Sequence, residues 1–307
     1  MSTEALIPTG DRPACRPSGS LAGRVACLIE VLLAFALVHV TYRSFKHFTE
    51  LGRLESSSGL NFSAGTTMIL FTFTVLLVRR KSFVEYGLTV KGWRYNLNVA
   101  LLWAAIILAA GATLTLTPVH LDPLHPPDLA RAAVCAIGGL ALTLLLAIFL
   151  MRERSFVRAV SPAAAFVVLL GLLSLPLVLA WYFNRPLLNV LFTVLWLFFG
   201  AGFGEEIFFR GYILSRVNEA FGRPFMLLGV RFGPGLIVSS LLFGFIHVLN
   251  TVDYFGGRYE FAWLWFFSAF CFGMFYGVLR EKTGSVLPGA ILHGLEDVLG
   301  RIPTFLP

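Results

Sequence analysis

Chemistry in this sequence gathers in one stretch, residues 202–211, where Glu205, Glu206 and Arg210 stand among Gly, Phe and Ile. An ionisable side chain within a membrane span costs ~2.5–3.5 kcal/mol on insertion scales, and it persists where it faces a protein interior or a wet cavity. Glu206 and Arg210 are four residues apart, so on a helix they share a face and can neutralise each other. Glu205 is turned about 100° from Glu206 and is left free. A free carboxylate can take a proton from water. It then needs polar partners at its own depth.

Later stretches supply them. One is Phe243-Gly-Phe-Ile-His247, running on to Asn250; the other is His293-Gly-Leu-Glu-Asp297. If the helix bearing Glu205 continues to about Arg216, Glu205 lies 11 residues from that end, or ~16 Å at ~1.5 Å per residue. A helix starting after the breaker Gly233-Pro234-Gly235 brings His247 to a depth of ~18 Å. One starting near Ser285 brings His293 to ~12 Å and Asp297 to ~18 Å. Three helices thus deliver these groups to one layer. His293 and Asp297 are also four apart, which suits an oriented imidazole.

The elements that must position them are membrane helices. The chain of 307 residues is 57% hydrophobic and 13% charged, whereas a soluble domain carries about 25% charged residues. The expected fold is all-α, a polytopic membrane bundle of about eight or nine spans, each needing ~20 residues. The spans are expected near 25–42, 62–78, 97–117, 132–151, 162–183, 187–209, 235–250, 261–279 and 285–299. Residues 1–23 read as a disordered cytoplasmic tail, 24–185 as N-terminal spans and 186–301 as the unit that carries the chemistry. The net charge of +7 does not point to nucleic acid. With the N-terminus inside, most Lys and Arg fall on the cytoplasmic side, Arg79-Arg80-Lys81 and Arg152, Arg154 and Arg158 among them.

Other polar residues need no function. Glu30 is expected to pair with a neighbouring helix or to snorkel, and His39, His47, His120 and His125 to be solvated. Gly200-x-x-x-Gly204 and Gly273-x-x-x-Gly277 fit close helix packing. Trp263 and Trp265 fit an interfacial position. Cys15, Cys27, Cys135 and Cys271 are scattered without the spacing of a cysteine metal site or a disulfide framework.

Taken in order, Glu205-Glu206-x-x-x-Arg210, Phe243-x-x-x-His247 and His293-x-x-x-Asp297 resemble the motifs of the CPBP family of intramembrane proteases, which includes the type II CAAX prenyl protease. The resemblance covers about residues 190–300. It implies an intramembrane peptidase whose catalytic set is Glu205, Glu206, Arg210, His247, His293 and Asp297. Glu205 would be the base that activates water with help from His247, and His293 would stabilise the oxyanion. Asp297 departs from the Asn usual at its position; an ionised Asp accepts hydrogen bonds only, so its expected role is to orient His293.

Glu205, His247 and His293 also match a zinc site of one Glu and two His with an open position. A glutamate mechanism without metal uses the same residues, and no HExxH helix is present, so no cofactor is expected and zinc is the alternative. A transporter or channel using Glu205, His247 and His293 as ion ligands, or an inactive immunity or scaffold protein, are the competing functions. The first predicts repeated halves, which the sequence lacks. The expected partners are the bilayer and a membrane-associated protein or peptide substrate. The expected location is a bacterial plasma membrane, since no organelle-targeting signal is evident.

Overall fold

The computed structural model describes residues 20–115, 160–227 and 229–305. The expected span at 132–151, Cys15, Cys135, His120, His125, Arg152, Arg154 and Arg158 lie outside the described residues, as does the expected tail up to residue 19. In chain order the helices are α1 (Leu21–Phe48), α2 (Glu50–Ser57), α3 (Phe62–Val78), α4 (Trp93–Thr115), α5 (Pro162–Tyr182) and α6 (Leu187–Phe221). A short hairpin, β1 (Phe225–Leu227) and β2 (Val230–Phe232), leads to α7 (Pro234–Val248), α8 (Trp263–Thr283) and α9 (Leu287–Gly300). Helix α7 runs on into a 3₁₀ turn, Leu249–Thr251. The fold is an all-α membrane bundle.

Helix α1 shows why the bundle belongs in lipid. Ser20 caps it by accepting a hydrogen bond from the Gly23 N–H at 3.2 Å. Cys27, Val31, Ala34, Val38 and Tyr42 recur at helical spacing and are buried, while Ile29, Leu33, Leu37 and Val40 face outward. A helix apolar on both faces cannot gain by turning one of them to water. Among the described residues, α1, α5, α6, α8 and α7 with its 3₁₀ turn are long and apolar enough to cross a membrane.

Some boundaries differ from the sequence expectation. Residues 21–23 already belong to α1, not to a tail. Helix α6 continues past Arg216 to Phe221. Helix α9 has 14 residues, about 21 Å of helix, against a hydrocarbon core of ~30 Å. Its Pro288–Leu295 segment is buried, so α9 is sheathed by protein.

Helix α6 is the axis. Its winding is wide, of the π type, over Trp196–Glu205 and again over Ile207–Ile213. Such winding is rare and occurs often at functional sites. Small residues let neighbours close in. A Cβ on Gly204 would sit 2.6 Å from Gly65 Cα of α3, and one on Gly202 would sit 2.7 Å from Gly294 Cα of α9. The second glycine pair acts likewise: a Cβ on Gly273 would sit 3.2 Å from Ser240 Cα, and one on Gly277 2.2 Å from a Leu236 methyl.

One end of the bundle is tied by a polar collar. Glu30 pairs with Arg79 at 2.6 Å and Arg216 at 3.0 Å, and accepts from the Tyr212 hydroxyl at 2.8 Å. This is the helix-to-helix pairing expected of Glu30. Glu219 binds Lys81 and Tyr86. Asn218 accepts from the Gly235 N–H at 2.9 Å and donates to Glu281, which also pairs with Arg223 at 2.8 Å.

Of the two histidines on α1, His39 differs from expectation and His47 does not. His39 is buried, with Nδ1 3.0 Å from the Tyr42 hydroxyl and Nε2 3.2 Å from that of Tyr254. One of these partners, Tyr254, comes from the loop after α7, which sequence spacing does not reveal. His47 lies on the last turn of α1 and is exposed, stacked on Phe255 at 4.2 Å.

The contact of α6 with α9 leaves no room for a side chain at Gly202. Gly202→Val is expected to destabilise the protein by about 1–3 kcal/mol or more, since backbone must move. Gly171→Val on α5, where a Cβ meets nothing within 4 Å, is expected to be neutral. Thermal unfolding in detergent of the two variants checks this.

Candidate active site

Glu205 and Glu206 sit where the two wide-wound stretches of α6 meet. They separate as helical geometry expects. Glu206 is fully buried, and its Oε1 accepts from Arg210 Nη1 at 2.8 Å. The same oxygen lies 3.3 Å from His293 Nδ1 on α9. An ionised carboxylate only accepts, so the His293 Nδ1–H donates. Glu206 therefore joins α9 to α6, a wider role than neutralising Arg210 within one helix.

Arg210 is fully buried as well. Its guanidinium lies over the Phe243 ring at 4.1 Å and near Tyr276 at 5.4 Å. Among the described residues its Nε and Nη2 have no hydrogen-bond partner, so the aromatic faces carry part of the compensation. Such contacts are worth about 2 kcal/mol or more when desolvated. Two glycines make the room. A Cβ on Gly273 would stand 2.9 Å from Arg210 Nη2, and one on Gly289 would stand 3.0 Å from Glu206 Oε2.

Glu205 turns to a cavity of about 390 Å³ that is lined also by His247, His293, Glu296 and Asp297. Its Oε2 is buried and, among the described residues, has no hydrogen-bond partner. A buried oxygen left unpaired is costly, and native structures keep few of them. His247, at the end of α7, has Nδ1 2.7 Å from the Phe243 carbonyl. That carbonyl can only accept, so Nδ1 carries the proton and the neutral ring keeps Nε2 as an acceptor. The spacing Phe-x-x-x-His is thereby explained: a turn of helix brings the carbonyl of residue 243 under the ring of residue 247.

His293 is held by four neighbours. Beyond the Glu206 contact, Nε2 lies 3.6 Å from Asp297 Oδ2, an electrostatic pairing too long for a direct hydrogen bond. The Tyr276 ring stacks on the imidazole at 5.1 Å with an 18° tilt, and Phe243 meets it edge-on at 5.6 Å.

All six residues singled out from the sequence are thus in one neighbourhood. Glu205, His247, His293 and Asp297 line the cavity; Glu206 and Arg210 lie behind His293. Two further residues escaped the sequence reading. Tyr276 donates from its hydroxyl to Glu296 Oε2 at 2.5 Å, and both line the cavity. Glu296 was visible as an extra charge three residues after His293, a spacing that also shares a helix face. Tyr276 lies in an aromatic-rich helix and looked like any core ring. Trp265, expected at the interface, also forms part of the cavity wall.

Among the described residues no group of three His, Cys, Asp or Glu side chains is arranged to hold a metal ion. Glu205, His247 and His293 share the cavity without forming a ligand cage.

The fold and the site define an integral membrane protein that gathers carboxylates and imidazoles around a cavity inside its helical bundle. Residues 187–299 match the family model described as type II CAAX prenyl endopeptidase Rce1-like. That stretch is therefore similar to a CAAX-protease-like intramembrane endopeptidase domain. No curated protein and no solved structure matches the chain.

The buried pair gives a test of this packing. Arg210→Met alone leaves Glu206 charged among apolar groups and is expected to cost about 3–5 kcal/mol. The double variant Glu206→Gln/Arg210→Met is expected to recover much of that loss. Melting temperatures of both in the same detergent decide it.

Proposed function

We propose that this protein hydrolyses a peptide bond in a membrane-associated protein or peptide, with Glu205 as the base that activates water. The observation that carries the reading is the meeting of Glu205, His247 and His293, from three helices, on one cavity where Glu205 keeps a carboxylate oxygen unpaired. Peptide hydrolysis needs a base within reach of water and donors aimed at the developing oxyanion.

In this reading water enters between Glu205 and His247. His247 Nε2 accepts one hydrogen bond and orients the molecule, while Glu205 takes the other proton. The oxygen attacks the peptide carbon, and negative charge collects on the carbonyl oxygen. His293, flanked by Glu206 at Nδ1 and Asp297 near Nε2, donates from Nε2 to that oxyanion. Glu205 then passes its proton to the leaving nitrogen as the C–N bond breaks. Glu206, Arg210 and Asp297 are positioning residues, because each acts through the orientation or charge of His293.

The proposed setting is a bacterial plasma membrane with the N-terminus cytoplasmic. The collar end supports this orientation, since Arg79, Arg80, Lys81, Arg216 and Arg223 collect there and basic residues favour the cytoplasmic side. The proposed substrate class is a membrane-presented peptide.

Glu205→Gln is expected to lower cleavage by about 10²–10⁴-fold, the usual worth of a positioned base, with normal membrane insertion. Comparative proteomics of membrane peptides from wild-type and Glu205→Gln cells should reveal the uncleaved precursor; identical peptide profiles would refute the reading. Asp297→Asn is expected to keep substantial activity, because the amide oxygen still places partial negative charge beside His293 Nε2. Asp297→Ala is expected to lose about 100-fold through misorientation of His293. An Asn variant as inactive as the Ala variant in the same cleavage assay would remove Asp297 from that role.

A further inference from the structure

The direction from which the cavity is reached follows from helix polarity. Its lining includes Asn61, Asn250, Trp265 and Arg301. Asn61 immediately precedes α3, Asn250 follows α7, Trp265 is on the first turn of α8, and Arg301 follows α9. These four positions belong to one end of the bundle. It is opposite the end where α3 finishes at Val78, α7 begins at Pro234 and α8 finishes at Thr283. Asn250, Trp265 and Arg301 are exposed, whereas Glu205, His293 and Phe243 lie deeper.

Among the described residues the other end is closed. Below Glu205, Phe208, Phe209, Arg210, Tyr212 and Ile213 are all buried. Beneath them lies the collar, where Glu30 pairs with Arg216 and Asn218 donates to Glu281. Neither water nor an extended peptide can reach Glu205 through that layer without breaking several buried polar contacts.

The open end has a braced wall. Arg43 Nη2 donates to the carbonyl of Leu249 at 2.7 Å and to that of Val252. Tyr254 is held by His39, and Phe255 stacks on His47. The chain that follows His247 is thus pinned to α1, and Asn250 is kept at the rim.

We infer that the site takes its substrate from the extracytoplasmic face: the scissile peptide belongs to a membrane protein or exported peptide whose cleavable segment is displayed on that side. The argument joins two independent observations. The cavity mouth is at the end of α9, and the basic cluster is at the other end of the bundle, which the positive-inside bias assigns to the cytoplasm. It rests on the hydrolase reading for the word substrate, but the sidedness of the mouth does not depend on it.

The test uses full-length protein in intact cells, with Cys15, Cys27, Cys135 and Cys271 replaced by Ser. Single cysteines are placed by Asn250→Cys at the mouth and Arg80→Cys at the collar end, and a membrane-impermeant maleimide is applied. The expected result is labelling of Asn250→Cys in intact cells and of Arg80→Cys only after permeabilisation. Labelling of Asn250→Cys is also expected to abolish release of the fragments that distinguish wild-type from Glu205→Gln cells. The reverse labelling pattern overturns the sidedness. Labelling without loss of cleavage overturns the mouth. If instead Glu205→Gln cells still release the fragments, the hydrolase reading fails, while the labelling result stands by itself.

Discussion

The constraint on which this structure depends is a carboxylate that must stay buried. Glu206 Oε1 accepts from Arg210 within α6 and from His293 on α9. Isolated, each of these charges would be unaffordable in a bilayer. Joined, they form a polar knot in the middle of an apolar bundle. Its geometry dictates much around it: glycine at 273 and 289 so that neither helix pushes the charges apart, and aromatic faces from Phe243 and Tyr276 over the guanidinium. Breaking one member leaves the others buried and uncompensated. That asymmetry keeps the arrangement fixed.

From the knot, a division of labour between adjacent residues follows. Glu206 is consumed by structure. Glu205, one residue earlier, lines the cavity instead; each acid leaves one oxygen without a hydrogen bond among the described residues. Preorganised groups of this sort cost stability and are retained where they act on something. The close glycine contacts of α6 with α3 and α9 serve the same end, because they bring Glu205 to the depth of His293 without long side chains between the backbones.

Much of this was legible in the sequence, for definable reasons. Charges in an apolar run stand out, and i, i+4 spacing reports a shared face, so the Glu206–Arg210 pair could be read directly. Breaker residues and helix rise put His247 and His293 in reach of Glu205, and the three line one cavity. What could not be read depended on contacts between distant segments. The Glu206–His293 contact spans 87 residues, and the Tyr254–His39 contact 215. Helix α9 was expected to cross the membrane because its residues are apolar. Apolar residues suit lipid and protein interior alike, and only the packing reveals that α9 is inside. Tyr276 was hidden for the same reason, as one ring among many.

The wide winding of α6 decides how these features are compatible. A run of strict α-helix from Leu187 to Phe221 would repeat its faces at 3.6 residues per turn. Here one helix must offer glycines to α3 and to α9, send Glu206 towards α9 and Glu205 to the cavity, and still reach the collar with Arg216 facing Glu30. The wide turns at Trp196–Glu205 and Ile207–Ile213 relax the periodicity on both sides of the acidic pair. Those backbone hydrogen bonds are longer-range within the helix and less favourable than α-type ones, a cost localised to the stretch where the carboxylates need independent directions. The unusual backbone and the unusual side chains therefore have one cause: two neighbouring acids in an apolar helix can differ in role only if the helix lets them differ in surroundings.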